Sequence, residues 1–153
     1  MGLVEESDLK HWPASHYVFL QKIGPFMQTA PACWQEFHQK AGLLMQSKNL
    51  LSVASLYKIQ PQMVYRAGVM LSEVPASLPE GFSYEKFEGG LYSRFILKGS
   101  YAQLPEACGR VFQIVEQTKL PLRDDFYIEN YVSDPRITPE DQLITEILIP
   151  TRG

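Results

Sequence analysis

The chain repeats itself at an interval of 75 positions, close to half its length of 153 residues. Without a gap, Tyr17 falls on Tyr92, Gly24 on Gly99, Gln28 on Gln103, Ala32 on Ala107, Cys33 on Cys108 and Phe37 on Phe112. Near-matches add Leu20 with Phe95 and Phe26 with Tyr101. A repeat of this period is one supersecondary unit used twice, so the chain reads as a fused dimer with a pseudo-twofold axis. The cleft of such a dimer suits one asymmetric ligand, and positions where the halves differ then matter as much as those where they agree.

Each half reads strand, helix, strand, strand. His16 to Lys22 is rich in β-branched and aromatic residues and runs into Gly24-Pro25, a reversal signal. Thr29 and Pro31 open a helix whose apolar residues Cys33, Phe37, Ala41 and Leu44 recur at three and four, with Gly42 near its end. Ser52 to Ile59 and Val64 to Leu71 are the next strands, and Ser72 to Gly81 has the prolines of a connector. The second half begins with Phe82 to Phe87, turning at Gly89-Gly90 into Leu91 to Leu97, which reads as a β-hairpin. A helix with Pro105 near its start and Ala107, Cys108, Val111, Phe112 and Val115 along one face follows, then Phe126 to Val132 and Gln142 to Ile149. The expected fold is α+β: two duplicated units, about 16–73 and 82–150, forming an antiparallel sheet with two helices on one face, in a single domain over 1–153.

Composition excludes several classes. With 45% hydrophobic and 20% charged residues the chain is globular, and 153 residues bury roughly two-thirds of the unfolded surface. No apolar run of 18 residues exists, and the first fifteen residues lack the apolar core of a signal peptide, so a cytoplasmic location without membrane contact is expected. A net charge of −3 with scattered Lys and Arg argues against binding nucleic acid and is compatible with a cationic ligand. Cys33 and Cys108 read as reduced, small hydrophobic residues, and His11, His16 and His38 do not share ligand spacing with them, so neither metal nor cofactor is expected. No Gly-x-Ser-x-Gly or phosphate loop is present.

These residues resemble the GyrI-like small-molecule-binding domains, which also serve as effector domains of AraC-type and MerR-type regulators. The resemblance rests on Gly24-Pro25-Phe26 and its echo Lys98-Gly99-Ser100-Tyr101, on Glu129-Asn130-Tyr131-Val132-Ser133-Asp134-Pro135, and on Thr145-Glu146-Ile147-Leu148-Ile149-Pro150. It implies a duplicated fold with a groove between helices and sheet that binds amphipathic, aromatic, often cationic compounds, with Glu129 as the groove's acid. Since nothing before Tyr17 is long enough for a helix-turn-helix, a stand-alone binding unit is expected. The resemblance also leaves open a hydrolase of cyclopropane-bearing cytotoxins in which Glu129 activates water, a gyrase-inhibitor role, and a homodimer or protein partner.

The candidate ligand-binding residues are Glu129, Tyr131, Tyr127, Trp34, Phe37, Tyr57 and Tyr92. Opposite Glu129, at an offset of 74, stands the neutral Ser55, and opposite Trp34 stands Gly109. A carboxylate among aromatic rings is costly to desolvate, which an organic cation relieves while gaining cation–π contact. Strand alternation puts Tyr127, Glu129 and Tyr131 on one face and Phe126, Ile128, Asn130 and Val132 on the other. The second set is more apolar, which would leave Glu129 in solvent; the resemblance places it in the pocket instead. Trp34 either walls the groove or caps the core, Phe37 is symmetric with Phe112 and so also reads as core, and Tyr57 and Tyr92 are strand tyrosines that could line a cavity.

Overall fold

The computed structural model describes residues 2–153. Among the described residues, eight strands and three α-helices follow one another: β1 (Leu3–Trp12), β2 (Ser15–Ile23), α1 (Phe26–Lys40), α2 (Gly42–Met45), β3 (Leu50–Lys58), β4 (Val64–Leu71), β5 (Ser83–Phe87), β6 (Gly90–Lys98), α3 (Leu104–Gln117), β7 (Tyr127–Tyr131) and β8 (Ile144–Pro150). The ladders of β1 with β6, β6 with β8, β7 with β8, β2 with β4, β2 with β5 and β3 with β4 are all antiparallel, so the α+β class and the antiparallel sheet expected from the sequence are observed. Among the described residues no helix is long and apolar enough to cross a membrane.

The chain divides into two units. The continuous unit is Pro13–Gly89, with strand order β3-β4-β2-β5. Its helix α1 lies over β2 and β4. The apolar stripe read from the sequence is buried throughout, with Cys33 and Phe37 at 0% exposure. The helix starts a turn earlier than Thr29: Pro25 is its N-cap, and the Thr29 hydroxyl donates to the Pro25 carbonyl at 3.1 Å.

The split unit joins the segment ending at Trp12 to Gly90–Gly153, with strand order β1-β6-β8-β7. Its core gathers Phe95 and Leu97 from β6, Ala107, Val111 and Val115 from α3, and Ile147 and Ile149 from β8. The buried α3 positions recur every four residues, as an amphipathic helix on a sheet requires.

The same local design recurs in both units. Gly24 (φ 135°) and Gly99 (φ 143°) take backbone conformations that side chains resist. Each N–H then donates to the residue before the fourth strand of its repeat, Gly24 to Met63 at 3.0 Å and Gly99 to Leu143 at 2.8 Å. The sequence identity at these glycines is thus a turn requirement.

The structure departs from the sequence reading in two places. Leu3–Trp12, a stretch to which the sequence assigned no element, forms β1. Its irregular LVEESDLKHW pattern hides it, since a register shift between Val4 and Asp8 breaks the alternation. And β5 and β6 are not a hairpin. β5 pairs with β2, with Ser15 opposite Phe87, whereas β6 pairs with β1, with Trp12 opposite Gly90. Each repeat's leading strand is therefore laid on the second strand of the other repeat.

Candidate functional site

In the split unit, β7 carries Tyr127, Glu129 and Tyr131 on the face turned to α3. The assignment follows from register: Glu129 stands opposite Ile147, a core residue beneath α3, and Tyr127 packs into that same core. The Glu129 carboxylate accepts the Tyr131 phenol on Oε1 at 2.8 Å and the Cys108 thiol on Oε2 at 3.3 Å. Burial pushes its carboxyl above the usual carboxylate range, and these two donors pull only part of the way back. No Lys or Arg pairs with it among the described residues. Cys108 is thus more than packing, contrary to the sequence expectation, because its thiol helps hold the acid.

Aromatic rings surround this carboxylate. Tyr101 meets Tyr131 edge-on at 5.5 Å between centroids, and Phe112 meets Tyr127 edge-on at 5.3 Å. Tyr127 and Tyr131 are half-buried, so both retain surface. An open cleft of about 440 Å³ also lies in this unit, lined by Tyr101, Pro135, Thr138, Glu140 and Leu143 among others. Tyr101, the ring against Tyr131, is the one of these aromatic residues that also lines the cleft.

The continuous unit holds the counterpart. Phe26 meets Tyr57 edge-on at 5.4 Å, reproducing the Tyr101–Tyr131 contact, and Ser55 stands where Glu129 stands. Ser55 is fully buried, and its hydroxyl lies 2.7 Å from the Tyr65 phenol. The Trp34 indole N–H donates to that same phenol at 2.7 Å. Trp34 is half-buried against Phe37 at 5.0 Å, so it both caps the core and belongs to this polar cluster.

The candidates thus fall into two groups: Glu129, Tyr131 and Tyr127 in the split unit, and Trp34 and Tyr57 in the continuous one, where Tyr57 is 4% exposed. Two candidates lie apart from these groups. Phe37 has no exposed surface and packs on Trp34 and Phe82 in the core of the continuous unit. Tyr92 lies on the face of β6 opposite to Phe95 and Leu97, hence on the side away from α3 and Glu129. It too is fully buried, under the Arg123 guanidinium at 4.9 Å, and burial pushes its phenol up to about 12. Sequence reasoning missed Cys108 as a partner of the acid and Tyr101 as the ring against Tyr131, although both belong to repeat pairs. Among the described residues no group of three or more His, Cys, Asp or Glu side chains could hold a metal ion.

Comparison with known structures extends this picture. The chain superposes on SAV2435 bound to tetraphenylphosphonium with a TM-score of 0.78 at 19% identity, covering 97% of this chain and 94% of that one. An integron cassette protein from the mobile metagenome of Vibrio cholerae gives 0.74 at 15% identity, covering 99% and 100%. The EcmrR C-terminal domain gives 0.71 at 18% identity, covering 97% and 98%. At these identities the likeness shows the fold. A search of curated proteins found no match. The family model for the GyrI-like small molecule binding domain matches residues 5–152, nearly the whole chain, and the protein belongs to that family.

Proposed function

We propose that the protein binds amphipathic aromatic cations, with Glu129 as the charge that selects them and Tyr131, Tyr127 and Tyr101 as the rings around it. The observation that carries this reading is a desolvated carboxylate held only by a phenol and a thiol, with no cationic side chain beside it. Such a group is costly to ionise, and a lipophilic cation is the partner that offsets the cost without restoring water. The rings add cation–π attraction of about 0.5–2 kcal/mol per favourable contact. The structure of SAV2435, a protein of the same fold, is bound to tetraphenylphosphonium, a ligand of this chemistry. Calorimetric titration with tetraphenylphosphonium tests the reading. We expect saturable one-to-one binding and a loss of about tenfold or more in Glu129→Gln, the scale of one charge-assisted contact. Equal affinity in both proteins would remove Glu129 from the site.

A further inference from the structure

The two units differ at one connected set of side chains. In the continuous unit, Trp34, Tyr65 and Ser55 form a hydrogen-bonded chain, with 2.7 Å at each link. All three members are replaced in the split unit. Gly109 stands at the Trp34 position on the helix. Thr145 stands at the Tyr65 position, because it lies opposite Tyr131 as Tyr65 lies opposite Tyr57. Glu129 stands at the Ser55 position. The neighbours stay the same: Cys33 and Cys108, Phe37 and Phe112, Tyr57 and Tyr131, with Phe26 answered by Tyr101.

The replacements leave chemistry unfinished. Thr145 is fully buried, and its hydroxyl has no hydrogen-bond partner among the described residues. A buried hydroxyl in that state is costly, and its counterpart Tyr65 makes two bonds. Cross-strand pairing puts Thr145 beside Tyr131 on the Glu129 face, diagonal to the carboxylate. At Gly109 a Cβ would meet no atom within 4 Å. Bulk has gone from the helix and the strand together, while one acceptor and one negative charge remain beneath.

We infer that the ligand of the split unit takes, over β7 and β8, the place that the Trp34 indole holds over β3 and β4. The continuous unit is then a copy of the site filled by its own side chain, and that side chain describes the ligand. It is a flat aromatic cation with an N–H on its ring system, donated to the Thr145 hydroxyl as the Trp34 N–H is donated to Tyr65, with its positive charge balanced at Glu129. This narrows the cation-binding reading above and rests on it.

Tryptamine and 1-methyltryptamine, which differ only at the indole nitrogen, test it beside tetraphenylphosphonium, which has no N–H. In the wild type, methylation is expected to weaken binding about fivefold, the scale of one hydrogen bond. In Thr145→Val, which keeps the shape and removes the hydroxyl, the two amines bind alike and tetraphenylphosphonium is unaffected. Gly109→Trp restores the missing indole and lowers affinity for all three cations about tenfold or more, whereas Gly109→Ala changes none of them. Equal affinity of the two amines in the wild type, or the same ratio in Thr145→Val, overturns the inference. So does failure of tryptamine to bind while tetraphenylphosphonium binds through Glu129, an outcome that leaves the broader reading standing. If none of the three binds, both fall.

Discussion

Glu129 makes the protein sensitive to pH in two opposite ways. Its carboxyl in the folded chain lies above the ordinary range because burial outweighs the Tyr131 and Cys108 hydrogen bonds. The folded state therefore holds this proton more tightly than the unfolded chain does. That contribution to stability is fully present below the unfolded carboxyl's pKa and is lost as pH rises through the folded one. Elsewhere the sign reverses: Arg94 holds Asp8 low and Lys22 holds Glu36 low, so those contributions disappear only as pH falls. The difference between wild type and Glu129→Gln isolates the single group. Thermal denaturation from about pH 4 to about pH 8 should show the wild type losing stability relative to the variant, since a carboxyl near 4.3 unfolded is the lower bound of the interval. Affinity for tetraphenylphosphonium should rise over the same interval. Its midpoint should move upward in Cys108→Ala and further upward in Tyr131→Phe, because the phenol is the stronger of the two donors holding the charge. A flat difference in melting temperature together with a pH-independent affinity would show that the carboxyl is ionised throughout.

At the scale of elements, the repeated turn carries its own test. Gly24→Ala and Gly99→Ala both force a methyl into positive φ, at a cost of about 1–3 kcal/mol each. The second should cost more, because its Cβ comes within 2.8 Å of the Gln103 carboxamide oxygen, while the first meets only the Thr29 methyl at 3.5 Å. Chemical denaturation that ranked them the other way would point to a different role for the turn. These glycines were readable in advance because a turn is a local requirement. So were β4, whose bounds match the expectation, and the stripe on α3, where one period of burial fills the element. Pairing was not readable. The short Glu88-Gly89 link between β5 and β6 has the chemistry of a hairpin, yet β5 pairs with β2, and β6 pairs with β1 and β8. The site divides the same way. Alternation grouped Tyr127, Glu129 and Tyr131 on one face and the repeat offset set Glu129 against Ser55, but the apolar pattern of the strand pointed that face to solvent, and only the family resemblance placed Glu129 in the pocket. Tyr92 was read by its type without its face, and Thr145 was passed over because its place beside Tyr131 follows from the register of β8 against β7.

For the molecule as a whole, the strand pairing fixes an order of assembly. The continuous unit begins and ends at neighbouring points, with Ser15 opposite Phe87 in the ladder of β2 and β5. The split unit must close β1 onto β6 across the chain that separates Trp12 from Gly90. Closing so long a loop through disordered chain costs about 3 kcal/mol more than closing a loop of a few residues. Once β5 is seated on β2, that cost has already been met, since Trp12 and Gly90 each lie three residues beyond a paired position. Folding of the continuous unit should therefore precede docking of β1, while α3 and its core strands can form independently. Hydrogen exchange under native conditions distinguishes the two directions. Phe37→Ala removes the fully buried ring that α1 carries into the core and costs about 3–5 kcal/mol, enough to open the continuous unit often. Amides of β1 should lose protection along with β2, β4 and β5 in that variant, although β1 belongs to the other unit. Val111→Ala weakens the core beneath α3 instead, and should expose β6 and β8 while β2 and β4 stay protected. Protection of β1 that survived Phe37→Ala would mean that β1 and β6 find each other without the continuous unit, and the proposed order would be reversed.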